Sequence, residues 1–278
     1  MRLWTQAAAA VVLGMSVLAG AAAPVCATPT SVKKEIRDDL RQALAAMAKE
    51  SPEKHLFLDK LKKAGASYFP ELLAPADQVS RYQDNDKRRQ MVGVYLVDMS
   101  YAAVFEKKKD SLRYAQDLDG LLTELGYNDK KVVAQYQKAL KDFNGPQSKK
   151  IFKDLDRLIV KSWSDILGRP GGLELAVDAS YGWCIEMLYL TGEIAAQKNY
   201  DPKFLGFLSE QEDMTRTFTG ILEVFKNEPT FAELVERDER LTVLQEISAK
   251  LKNPGQITQQ TVDEVRVVVT KARVELMK

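Results

Sequence analysis

The sequence predicts an all-α protein that forms a single multi-helix bundle of about ten helices. Apolar residues recur at the 3.6-residue spacing of amphipathic helices along most of its 278 residues. The breaks between the periodic segments are short and contain Gly, Pro or Asn, which end helices for conformational reasons. The sequence shows no convincing hairpin of alternating strands and no nucleotide-binding glycine loop. These observations favour one compact helical domain.

Amphipathic helices are predicted in chain order over five segments, namely 31–50, 51–65, 151–167, 230–251 and 261–278. The second has Pro52 at its first helical position, where a missing N–H costs nothing. The fourth opens with a capping box formed by Thr230 and Glu233. The last is rich in β-branched residues, but Val265 and Val268 fall at helical spacing, so it is predicted to be a helix.

Two further helices, over 91–107 and 173–198, are apolar nearly all round, as the central helices of a bundle must be. Each is followed by an amphipathic helix, over 110–126 and 202–225. This order predicts two hairpin-like helix pairs, loosely similar to tetratricopeptide pairs, around the two central helices. The consensus Trp, Leu-Gly and Pro positions do not recur at a steady period, so the prediction goes no further than a repeat-like bundle.

Residues 90–225 resemble a known group of proteins. The resemblance lies in the segment VGVYLVDMSYAAVFEKKKDSLRYAQDLDGLLTELGY and in the later segment GGLELAVDASYGWCIEMLYLTGEIAAQ. Both are similar to a family of uncharacterised exported helical proteins and lipoproteins of Gram-negative bacteria. The resemblance implies an exported all-α protein and supplies no activity. The chain departs from many members in lacking a good lipidation site.

The N-terminus has the pattern of a secretory signal peptide over residues 1–27. One basic residue precedes an uncharged apolar run, and small or neutral residues lead up to Ala27. Cleavage is expected after Ala27, with Ala23 as the second choice, which leaves residues 28–278 as a single all-helical domain. The apolar run, Ala7–Ala23, is slightly shorter than the ~20 residues of a spanning helix, so no membrane span is expected after cleavage.

Cys26 leaves lipid attachment open as an alternative. Bacterial lipoproteins carry a lipidated Cys at the mature N-terminus, with a small residue directly before it. Pro24 and Val25 precede Cys26 here, so the match is poor. Without the leader only Cys184 remains of the two cysteines, which excludes an intramolecular disulfide.

The charge composition argues against a nucleic-acid partner. Removing Arg2 from the forty Lys and Arg residues leaves thirty-nine, against thirty-nine Asp and Glu residues. A protein that binds a polyanion needs a concentrated basic face, and the basic runs here mix with acidic residues or lie at helix ends. The expected partner is therefore an unknown protein, peptide or small ligand.

One aspartate, Asp98, lies in the otherwise apolar segment YLVDMSYAAVF. A buried ionised carboxylate is costly unless it is paired or hydrogen-bonded. Asp98 and nearby polar residues of the two central helices define a candidate pocket, which consists of Tyr95, Asp98, Tyr101, Tyr181, Glu186, Tyr189 and Glu193. In one interpretation Asp98 and Glu186 act as acid and base or as cation ligands. In the other, which we favour, hydroxyl or arginine partners satisfy each carboxylate and fix the helix register.

Metal and nucleophile chemistry has little support among the residues. The single histidine, His55, is far from any cysteine, which excludes a zinc site of nitrogen and sulfur ligands. Paired Glu-x-x-His motifs and a GxSxG nucleophile elbow are absent from the sequence. Trp183 and Ile185 flank Cys184, as expected for an inert core thiol. Calcium bound by carboxylates alone stays open, and no cofactor is expected.

Two classes of function remain. The first, which we favour, is an exported module, periplasmic or secreted, that binds a protein, peptide or small ligand. The second is an enzyme that uses carboxylates and tyrosines in a pocket between the central helices. A groove lined by exposed aromatic residues would favour the first class, and a closed pocket with carboxylates of raised pKa would favour the second.

We expect the mature chain to begin near Thr28, because the leader pattern ends at Ala27. Fusion of residues 1–35 to a reporter that matures only outside the cytoplasm should give a signal, and N-terminal sequencing should show the new terminus. An intact Met1 in a soluble fraction would contradict export. Palmitate labelling of membrane-bound protein would instead support the lipoprotein alternative.

Overall fold

The computed structural model describes residues 52–127, 165–226, 238–252 and 257–278, together with the isolated positions 38, 39, 41, 42 and 134. Seven α-helices lie in these ranges: α1 (Pro52–Lys63), α2 (Asn85–Val104), α3 (Lys108–Glu124), α4 (Gly172–Gln197), α5 (Pro202–Lys226), α6 (Asp238–Leu251) and α7 (Gln259–Leu276). The described residues contain no β-strand, which confirms the all-α prediction. All seven helices belong to one compact unit, Ala48–Lys278.

Some of the predicted helices lie wholly or partly outside the described residues. They are most of the helix over 31–50, most of that over 151–167 and the start of that over 230–251, including its capping box. The second predicted helix begins at Pro52, where the sequence placed its first helical residue. The central and amphipathic helices of both predicted pairs correspond to α2, α3, α4 and α5.

Helix α7 forms although β-branched residues dominate it. Thr258 caps its N-terminus, since the Thr258 hydroxyl accepts from the Thr261 N–H and the Thr261 hydroxyl accepts from the Thr258 N–H. Its buried face consists of residues at helical spacing, namely Val262, Val265, Val269, Ala272 and Leu276. The helix is confirmed, and Val269 takes the buried position that was predicted for Val268.

Helices α2 and α4 form the centre of the molecule and run side by side in the same direction. Near their N-terminal ends Arg89 contacts Asp178, and nearer their C-terminal ends Asp98 contacts Glu186. Buried residues lie on nearly all sides of both helices. None of the helices in the described ranges is long and apolar enough to cross a membrane.

Two glycines allow the backbones of α2 and α4 to touch. A Cβ atom on Gly93 would lie 1.9 Å from the Ala179 carbonyl oxygen and 2.5 Å from the Trp183 backbone nitrogen. A Cβ atom on Gly182 would lie 2.0 Å from the Gln90 carbonyl oxygen. These separations are well inside van der Waals contact, so a residue with a side chain does not fit at either position without moving a helix.

The other helices pack around this central pair. Helix α3 packs on α2 after a connection over residues 105–107, and α5 packs on α4 after a connection over residues 198–201. Helix α7 lies against α4, α6 contacts both α5 and α7, and α1 contacts α2. The central helices therefore receive neighbours from the N-terminal and C-terminal parts of the chain.

The connection from α1 to α2 lacks regular secondary structure over most of its length, and we call its residues 67–82 the strap. It contains two single 3₁₀ turns, Pro70–Leu72 and Val79–Arg81. Its Leu72 and Ala74 are buried. The backbone N–H and C=O groups of such a buried segment need partners other than a helix or a sheet.

Gly93→Ala should destabilise the protein by about 3 kcal/mol, because the added methyl group cannot fit without moving two backbones. Chemical denaturation of the variant measures this loss. Gly206→Ala in α5 is the matched control, since nothing lies within 4 Å of the added atom there. Because alanine has a greater helix propensity than glycine, this control variant should be more stable than the wild type by up to about 1 kcal/mol. Equal effects at the two positions would contradict the packing described above.

Candidate functional site

A buried ionic cluster joins α2, α4 and α7 at the candidate pocket. The Arg273 guanidinium donates two hydrogen bonds to Glu186, from Nε at 2.6 Å and from Nη2 at 2.8 Å. Its Nη2 also donates to the Leu72 carbonyl oxygen of the strap at 2.8 Å. Asp98 and Glu186 are fully buried, and the Arg273 side chain is only 11% exposed. The paired bonds satisfy both carboxylate oxygens of Glu186 and set its orientation.

Asp98 completes the cluster from α2. Its Oδ2 accepts a hydrogen bond from the Ala74 N–H of the strap at 2.9 Å. Its Oδ1 is buried and receives no hydrogen bond, and the carboxyl group lies beside that of Glu186. Burial, followed by the negative charge of Glu186, raises the pKa of Asp98 well above its ordinary value. The opposing effects of Arg273 and of the Ala74 N–H are smaller.

Three tyrosine hydroxyls of α2 and α3 hold the strap by its carbonyl oxygens. Tyr95 donates to Pro75 at 2.9 Å, Tyr101 to Ser67 at 3.0 Å and Tyr114 to Ala74 at 2.6 Å. Burial raises the pKa of Tyr95 and Tyr114, and it raises the pKa of Tyr101 to about 12. All three therefore keep their protons at neutral pH and act as donors to peptide groups.

The remaining candidate residues lie at different ion pairs along α4. The guanidinium of the cluster lies 4.0 Å from the centre of the Tyr189 ring, so Tyr189 covers one face of it. Tyr181 lies instead 5.5 Å from Arg240. Glu193 receives two hydrogen bonds from Arg266, at 2.9 and 2.8 Å. The structure thus brings together Tyr95, Asp98, Tyr101, Glu186 and Tyr189, and it places Tyr181 and Glu193 beside other arginines.

A second fully buried carboxylate, Asp178, lies toward the N-terminal end of α4. Arg89 of α2 donates to it from Nε at 2.6 Å, and Arg240 of α6 donates to its other oxygen. Every inward carboxylate named so far therefore meets an arginine, except Asp98, which meets a backbone N–H and Glu186.

The sequence prediction allowed arginine partners but did not identify them, although the spacing holds a signal for two of them. Glu186 and Glu193 are seven residues apart, and so are Arg266 and Arg273. Two residues seven apart lie on the same face of a helix. Pairing Glu186 with Arg273 and Glu193 with Arg266 places α4 and α7 antiparallel, as the structure has them. Matching the two spacings would have predicted this register.

The cluster is closed off from solvent, and this limits the chemistry that it can carry out. Among the described residues, no group of three or more His, Cys, Asp or Glu side chains is placed to hold a metal ion. The Asp98–Glu186 pair can hold a proton, and with Arg273 it fixes peptide groups of the strap. Contact with a substrate would first require the strap to move away.

No protein-family model matches the chain, and no characterised protein or solved structure is significantly similar to it.

Arg273→Ala should destabilise the protein by about 3–5 kcal/mol, because Glu186 would remain buried without its counter-charge. Lys60→Ala is the matched control, since Lys60 pairs with Glu210 where both side chains are about half exposed, at 53% and 48%. Such surface pairs contribute about 0–1 kcal/mol. Urea denaturation of both variants compares the losses. Similar losses would contradict the role of Arg273 as the buried counter-charge.

Proposed function

We propose that this chain is an exported helical module that binds a protein or peptide partner through its outer surface. The observation that carries the proposal is that the buried carboxylates already have partners within the protein. Glu186 and Asp178 are each held by arginines, and Asp98 is held by the backbone of the strap. Groups held in this way stabilise a scaffold and are not presented to a solvent-borne substrate. Recognition of a partner then falls to the surface.

The outward face of α7 is the surface that suits such a partner best. Val267 and Val274 are the large hydrophobic residues that stand exposed in the described part of the chain, at 71% and 50%. They are seven residues apart, so they lie on one helix face about 10 Å from each other. Val267 also lines a shallow depression of about 570 Å³ beside Gln260 and Glu264. Two apolar anchors at this spacing, with polar neighbours, match an amphipathic helix of a partner protein.

We extend the proposal to the arrangement of the helices in pairs. The pairs α2–α3 and α4–α5 would be tetratricopeptide-like hairpins within a bundle of about ten helices, a class of fold that presents extended surfaces to protein partners. The leader pattern over residues 1–27 supports export of the mature module to the periplasm or outside the cell. An acylated Cys26 would tether the same module to a membrane.

A carboxylate-dependent enzyme is the second candidate, and one observation favours it. Asp98 has a raised pKa and contacts a second carboxyl group, an arrangement found among acid–base pairs of active sites. Against it, the strap covers the pair, and Arg273 occupies both oxygens of Glu186. The enzyme would act only in a state with the strap displaced, so the binding module remains the proposed function.

Site-specific photo-crosslinking in the native host tests the surface. A photoreactive phenylalanine at position 267 or 274 should give the same discrete adduct in the envelope fraction, because both positions face one partner. The same residue at position 203, which is exposed on α5, is the matched control and should give none. Val267→Glu should abolish the adduct formed from position 274. Absence of an adduct at 267 and 274, or equal capture at 203, would overturn the proposal.

A further inference from the structure

The charges of the buried cluster do not balance if both of its carboxyl groups are ionised. Asp98 and Glu186 share one guanidinium, that of Arg273, in a closed environment. Arg273 directs hydrogen bonds to Glu186 and to the strap, and Asp98 Oδ1 receives none. Two ionised carboxylates in contact would repel each other strongly where water is excluded.

We propose that a proton held between Asp98 Oδ1 and Glu186 is a structural ligand of this protein. This proton stabilises the packing of the strap against the helices. The neutral Asp98 donates from Oδ1 to the Glu186 carboxylate and accepts the Ala74 N–H at Oδ2. The orphaned oxygen then becomes a donor, and one carboxylate remains against one guanidinium. The cluster is electrically neutral in this state.

The groups that face Asp98 from each neighbouring element support this protonation state. They are Tyr95 and Tyr101 of α2, Tyr114 of α3, Glu186 of α4 and Arg273 of α7. The tyrosines are neutral, because burial raises their pKa values. Glu186 disfavours a second negative charge, whereas Arg273 favours one but is already paired. Burial is the largest effect and raises the pKa of Asp98, which favours the acid form.

Loss of the proton loosens the strap. An ionised Asp98 beside Glu186 requires water, and the strap binds the cluster only through the Ala74 N–H and the Leu72 carbonyl oxygen. Moving the strap away admits water without separating the central helices, whose backbones are in contact. A rise in pH thus loosens the strap at the cluster, while the hydroxyls of Tyr95, Tyr101 and Tyr114 still bind its carbonyl oxygens.

The direction of the pH effect follows from proton linkage. The folded state holds the proton of Asp98 to a higher pH than the unfolded chain does, because the folded pKa is raised. The stabilisation is therefore complete below the unfolded pKa of about 3.9, and it is lost as the pH rises from there through the folded pKa.

Asp98→Asn isolates this proton, because the amide reproduces the neutral acid. Its N–H donates to Glu186 and its oxygen accepts the Ala74 N–H. The test is urea unfolding of the wild type and the variant from about pH 5 to about pH 9. We expect the ratio of the variant's folding constant to that of the wild type to rise by up to tenfold per pH unit until the folded pKa of Asp98 is passed. Glu193→Gln is the matched control, since it removes an ion-paired carboxylate from the same helix, and its ratio should not rise.

Two further readouts address the proton and the strap directly. Infrared spectra of the wild type near neutral pH should contain the C=O stretching band of a protonated carboxyl group that Asp98→Asn removes. Amide hydrogen exchange over residues 67–82 should accelerate in the wild type relative to the variant as the pH rises.

Three results would overturn the proposal. They are a folding-constant ratio that does not change with pH, strap exchange that keeps pace with the variant at every pH, and a carboxyl band whose intensity Asp98→Asn does not reduce. Such an undiminished band would belong wholly to another acid such as Asp117, whose pKa burial also raises. If Asp98→Asn does not fold, the wild type alone decides, because the absence of any protonated carboxyl band near neutral pH refutes the shared proton.

Discussion

The direct contact between the backbones of α2 and α4, which Gly93 and Gly182 allow, is the constraint on which the rest of the structure depends. Helices whose backbones touch leave no room for a ligand at their crossing, so the space between the central helices is occupied by polypeptide. The same contact brings Asp98 and Glu186 together, because each follows its glycine by little more than one helical turn. A wider separation would admit water between the carboxyl groups and would remove the reason for a shared proton.

The polar residues of the central helices supply hydrogen-bond partners to the peptide groups of the strap. Peptide groups buried outside helices and sheets must find other partners, and the strap finds them in side chains. Asp98 takes an N–H of the strap, Tyr95 and Tyr114 bind its carbonyl oxygens, and Arg273 binds another. An aspartate inside an apolar helix thus has a structural explanation that requires no substrate. Its raised pKa follows from the same burial.

Sequence periodicity predicted the helices well, because side-chain burial along a helix is a local pattern. It placed α2 and α4 at the centre and identified α7 as a helix despite its valines. It could single out Asp98 and Glu186, since a charged residue on an apolar face stands out. It could not supply Arg273, which lies 87 residues from Glu186, or the strap, whose irregular backbone leaves no periodic signal. The partners of a buried charge depend on which distant segments meet, and a single sequence does not state this.

The hydrogen bond from Arg273 to Leu72 joins residues 201 positions apart, and this separation bears on the order in which the chain folds. Helix pairs such as α2–α3 contain mainly local contacts and can form early, whereas a contact this distant in sequence closes a long loop and forms late. The bond between the strap and Arg273 therefore cannot form until α7 has been synthesised. A truncated or nascent chain that lacks α7 would leave Glu186 without its counter-charge.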